Sequence, residues 1–69
     1  MVADDGSVRR ILGRLLELGV ETKNLESAVR SGRCDIFAKV LNPMLHADWG
    51  DRDAEINTLF AELTKLVTG

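Results

Sequence analysis

Cysteine and histidine occur once each, as Cys34 and His46, and tyrosine is absent from the 69 residues. A single thiol excludes an intramolecular disulfide. One thiol plus one imidazole fall short of the four ligands of a structural zinc site. A lone cysteine also points to a reducing, intracellular compartment. No apolar run approaches the length of a membrane span. The opening, Met1 to Asp5, is short and acidic and unlike a secretory or mitochondrial leader, which favours the cytosol or the nucleus. Positive charge is not in excess: 9 Lys and Arg against 11 Asp and Glu give a net charge of −2. These cations are spread along the chain, whereas a nucleic-acid module carries a basic stripe. Runs of alternating apolar and polar residues are missing too, so strand signals are poor.

What is present is helical spacing in an ordinary globular composition, 45% hydrophobic and 29% charged. A chain this short is one domain that buries only about 60% of its unfolded surface. Val8, Ile11, Leu12, Leu15 and Leu16 form a stripe at steps of three and four. Ser7 stands before it as an N-cap and Gly19 after it as a left-handed C′ residue. Gly13 lies inside this helix, where it either admits a close neighbour or merely weakens the helix. Thr22 caps a second, short helix with Leu25, Ala28 and Val29 on one face and Gly32 at its end. The third helix carries the wide stripe Ile36, Phe37, Val40, Leu41, Met44 and Leu45, interrupted by Pro43. We read it as one helix with disturbed last turns. A polar connector from His46 to Arg52 holds Trp49 and Gly50. Asp51 or Asp53 then caps a last helix with the stripe Ile56, Leu59, Phe60, Leu63, Leu66 and Val67. The expected fold is all-α, a compact right-handed array or bundle of about four short helices. Residues 1–6 form a flexible N-terminal segment and 7–68 a single helical interaction domain.

Few residue sets suggest chemistry. Cys34 and His46, with Asp48 as a third member, have the residue types of a nucleophilic triad, but nothing in the spacing requires one. The plainer reading makes Cys34 a small half-buried residue and His46 a solvated helix-end side chain. Asp51-x-Asp53-x-Glu55 with Glu62 imitates part of a calcium loop, yet its sixth position is Ile56, not the glycine the turn needs. Arg9, Arg10 and Arg14 make a small basic face that reads as solvated. The chain is therefore expected to be no enzyme and to hold no metal or cofactor. Trp49 has two readings: it folds back over the end of the core, or it faces a ligand as an anchor.

Leu12, Leu15, Leu16 and Leu18, followed by Val20 and Thr22-x-x-Leu25, resemble the opening of the amino-terminal domain of the transcription elongation factor TFIIS. That domain type recurs in elongin A and in the integrase-binding domain of LEDGF. The order of a leucine-rich helix, a short capped helix, a longer helix, a loop and an amphipathic helix is followed through Val67. Arg30-Ser31-Gly32 falls near the family's Thr-Arg-Ile-Gly run but lacks its Ile, and Pro43 replaces a basic helix end. The resemblance implies a non-catalytic nuclear scaffold, otherwise a cytoplasmic one, that binds short disordered peptide motifs of transcription-elongation and chromatin factors. By analogy the implied contacts are Trp49 with His46, Asp48 and Asp51, and Asp4 or Asp5 from the N-terminal segment. The alternatives are a docking domain that forms homodimers and, third, a nucleic-acid accessory domain.

Overall fold

The apolar stripe that opens the chain becomes α1 (Asp5–Glu17) in the computed structural model, which describes residues 5–68 and, of Asp5, the backbone. Val8, Ile11, Leu12 and Leu15 are buried, as the stripe predicts. Two expectations need correction. Ser7 sits inside the helix instead of capping it, because α1 already begins at Asp5. Leu16 is turned away from the core and is 62% exposed. It lies one residue round the helix from Leu15, and the 3.6-residue period carries it off the buried face.

The end of α1 is closed as Gly19 foretold. Gly19 adopts φ 92°, its N–H bonds the Leu16 carbonyl and the Val20 N–H reaches back to the Leu15 carbonyl, both at 3.0 Å. This pair of bonds is a Schellman ending, and the residues at its two ends, Val20 and Leu15, are both buried in the core.

α2 (Lys23–Ser31) buries Leu25, Ala28 and Val29. Thr22 precedes it, but the hydroxyl caps nothing. Thr22 has a helical backbone (φ −106°, ψ −7°) in place of the extended one a side-chain cap uses, and it contributes its carbonyl to the Glu26 N–H at 2.7 Å. Gly32, at φ 71°, ends the helix. α3 (Cys34–Leu45) runs through Pro43 as a single helix. Its wide stripe divides: Phe37 and Leu41 are buried, Val40 and Met44 half-buried, and Ile36 and Leu45 exposed. One buried face spans too small an arc to take all six.

After α3 a 3-10 turn (Gly50–Arg52) passes directly into α4 (Asp53–Thr68). Asp53 is thus the first residue of α4, and its carboxylate accepts from the Asn57 side chain at 3.1 Å. Asp51 lies within the 3-10 turn. α4 buries Ile56, Phe60 and Leu63 fully, with Leu59, Leu66 and Val67 half-buried beside them.

The four α-helices and the short turn form an all-α bundle with one core. α2 packs on α3, α3 on α4, and α4 returns to α1. The radius of gyration, 11.0 Å, equals the roughly 11 Å expected of a compact chain of this length. Among the described residues no buried side-chain oxygen or nitrogen lacks a hydrogen bond. No described helix is long and apolar enough to cross a membrane.

Gly13 within α1 and Gly19 just after it predict opposite outcomes. A Cβ on Gly13 would meet nothing within 4 Å, so no close helix approach uses this glycine. Gly13→Ala should stabilise the domain by up to about 1 kcal/mol. At Gly19 an added Cβ would meet the Arg52 Nη1 at 3.2 Å in a backbone conformation that L-residues avoid. Gly19→Ala should therefore destabilise the domain by about 1–2 kcal/mol. Urea midpoints of both variants check the contrast.

Candidate interaction site

The connector after α3 is held from three sides. The Trp49 indole is half-buried against the core, and its Nε1–H donates to the Met44 carbonyl at 3.0 Å. The same carbonyl, in the last turn of α3, also accepts the Ala47 N–H at 3.3 Å, so the indole reinforces a turn that the backbone already closes. The Asp48 carboxylate accepts the Gly50 N–H at 3.0 Å and shapes the entry to the 3-10 turn. The Arg52 Nη1 donates to the Leu18 carbonyl at 2.6 Å, joining this turn to the end of α1. Aromatic body, carboxylate and guanidinium all act inward, on the chain itself.

The resemblance named six contact residues, and they are differently placed. Trp49 packs onto the core, whereas His46, Asp48 and Asp51 are exposed on the same connector. Asp4 lies outside the described residues, as does the side chain of Asp5. Cys34 is exposed, not half-buried. It opens α3 and His46 follows its last turn, so the two are about 18 Å apart along the axis and form no nucleophile–base pair. Asp53, Glu55 and Glu62 lie on one continuous helix, α4. Among the described residues no three of His, Cys, Asp and Glu gather to hold a metal ion.

The concavity that sequence reasoning missed lies between α2 and α3. It is an open groove of about 500 Å³. Ile36, Val40 and Met44 recur at steps of four along one row of α3 and line it with Ala28 of α2. Asn24 and Ser27 form its polar margin on α2, and Lys39 and Pro43 its margin on α3. The signal for it was the excess width of the α3 stripe, whose surplus members became the wall. Met44 belongs both to this groove and to the Trp49 hydrogen bond, so the connector fixes one end of it.

Charges around the groove are unevenly partnered. Arg33 engages Asp35 at 3.1 Å, and Arg30 engages Glu26 at 3.0 Å. Lys39, one helical turn beyond Asp35, makes no ion pair or hydrogen bond among the described residues. A smaller cleft of about 260 Å³ between α1 and α4 is bordered by Arg10, Glu62 and Lys65. The basic face of α1 is partly neutralised nearby. The Arg14 Nε donates to Glu55 at 2.6 Å and its Nη2 does so at 3.1 Å, while Nη1 reaches Glu17 at 3.3 Å.

Compared with known proteins, the chain matches no family model, no curated protein and no solved structure.

The Arg14–Glu55 pair gives the bundle a pH-dependent fastening between its first and last helices. The hydrogen bonds from Arg14 hold the Glu55 carboxyl below its ordinary value, and those from Glu55 and then Glu17 raise the Arg14 guanidinium further. A carboxylate with a lowered folded-state pKa stabilises above its unfolded pKa and ceases to do so as pH falls through the folded one. Glu55→Gln should therefore be less stable than wild type at neutral pH, by a small margin because the pair is solvent-exposed. That margin should close as the solution is acidified past the ordinary glutamate range. Urea unfolding at a series of pH values measures it. A gap that persists in acid would assign the effect to packing rather than charge.

Proposed function

We propose that this chain is a non-catalytic protein–protein interaction domain that binds a short disordered peptide. The observation that carries this reading is the open apolar groove between α2 and α3, beside a core already complete without a ligand. Peptides commonly seat apolar anchor side chains in such a hollow between helices. The exposed His46, Asp48 and Asp51 lie on the connector that fixes the groove's Met44 end, where the two carboxylates would accept N–H donors of a bound peptide and keep its acids toward Lys39. Trp49 serves the site from behind by holding the Met44 carbonyl. The likeness of the leucine pattern to TFIIS-type amino-terminal domains supports partners among transcription-elongation and chromatin factors, and a nuclear setting.

A second reading is favoured by Leu16 and Leu45, which are 62% and 42% exposed away from the groove. Each is an exposed apolar side chain that contact with a second copy of the chain would cover. The two readings part in one experiment. Amide NMR spectra are recorded while acidic, Phe-containing peptides are added. Under the first reading, saturable shifts centre on Ala28, Ile36, Val40, Met44 and the Trp49 connector. An absence of shifts, with line widths that grow with protein concentration, would instead establish self-association.

A further inference from the structure

Pro43 is the one residue of α3 that works against its own helix. It has no N–H, so the Lys39 carbonyl loses the partner that lies four residues on in a regular helix. A proline ring at this position also crowds the carbonyl four residues back, here that of Lys39. Lys39 and Pro43 both line the groove between α2 and α3. The break in the helical ladder therefore falls on the groove wall, and the freed acceptor belongs to a residue of that wall. Local departures of this kind, which cost a helix stability without a visible gain in packing, concentrate at functional sites.

The same residue brings the charge. Among the described residues, Lys39 is the only charged side chain lining the groove. The two acids on the lining helices that could neutralise it are engaged elsewhere, Asp35 by Arg33 and Glu26 by Arg30. One wall position thus presents an unpaired ammonium on its side chain and an acceptor short of a donor on its backbone. Beside it run the apolar side chains of Ile36, Val40 and Met44. A basic partner or a nucleic-acid phosphodiester backbone would satisfy at most one of these features. An acidic peptide satisfies all three: a carboxylate for the ammonium, a backbone N–H for the carbonyl and an apolar side chain for the wall.

Resting on the peptide-binding reading above, we infer that the groove selects an acidic peptide docked on Lys39. An Asp or Glu of the peptide pairs with the Lys39 ammonium, and an adjacent peptide N–H donates to the Lys39 carbonyl that Pro43 leaves free. Pro43 is in this sense a positioning residue, which acts through the backbone of Lys39.

Three proteins and two probes test this. The proteins are the wild-type chain, Lys39→Glu and Pro43→Val, the last of which restores the N–H and keeps apolar bulk on the wall. The probes are a short acidic peptide with one Phe and the same peptide with its acids replaced by Lys. Affinities come from NMR titration, and stabilities from thermal unfolding. The wild type should prefer the acidic peptide, and Lys39→Glu should reverse that order. Pro43→Val should unfold at higher temperature yet bind the acidic peptide about three- to tenfold more weakly, the loss expected for one hydrogen bond. A merely structural proline would change stability alone. Equal binding by wild type and both variants would overturn the Lys39 assignment and leave peptide binding standing. Failure of the wild type to bind either probe would overturn both readings. Groove shifts that follow protein concentration instead of peptide would assign the groove to a second copy.

Discussion

The contact between α1 and α4 closes this bundle, and the other helix pairs follow from it. α2 with α3 and α3 with α4 are neighbours in sequence, joined by short connections that bring them together at little entropic cost. α1 and α4 stand at opposite ends of the chain, so their pairing must offset the ordering of everything between them. Ile56, Phe60 and Leu63 on one side, with Val8, Ile11 and Leu15 on the other, are almost wholly removed from water. Each such side chain contributes roughly 1.5–3 kcal/mol relative to exposure. Two polar links guide the same seam: Arg14 with Glu55, and Arg52 with the Leu18 carbonyl. The exposed ion pair adds little energy. The Arg52 bond has a different value, since it satisfies a carbonyl at the helix end and fixes where the turn before α4 must lie.

That seam also explains the division of labour along α3. With α1 and α4 closed on each other, α3 needs only Phe37 and Leu41 to join the core. Of the remaining apolar residues of its stripe, Val40 and Met44 pack only partly against the core, and Ile36 and Leu45 are left at the surface. Ile36, Val40 and Met44 become a wall that faces α2 across an open groove, and Leu45 faces solvent. A small domain with marginal stability gains nothing from apolar residues left in water. Their surplus is thus the feature of the molecule that most directly suggests a partner, and Lys39 beside them gives that surface a sign.

Trp49 illustrates how a residue can shape a surface without lining it. Its indole has an apolar body and one donor, and both are satisfied internally, by the core and by the Met44 carbonyl. The connector it anchors carries His46, Asp48 and Asp51 at the surface. Even there Asp48 acts on the backbone of Gly50 before anything else. The order of the connector is local chemistry, and it sets the end of the groove.

The sequence by itself determined the number and order of the helices, the centre of each buried face and the left-handed ends at Gly19 and Gly32, because these depend on periodicity and on the freedom of a missing Cβ. It also carried the continuity of α3 through Pro43. Capping was less legible. Ser7, Thr22 and Asp53 all have the right chemistry for a cap, but that role depends on the backbone angle at one residue and on where the preceding turn happens to end. The direction of Trp49, the exposure of Leu16, the Arg14–Glu55 and Arg52–Leu18 links and the groove between α2 and α3 were decided only by the tertiary structure. Each is a relation between segments distant in the chain or between two helix faces. A single-helix period states how wide an apolar stripe is, but not how much of it the neighbouring helices will cover.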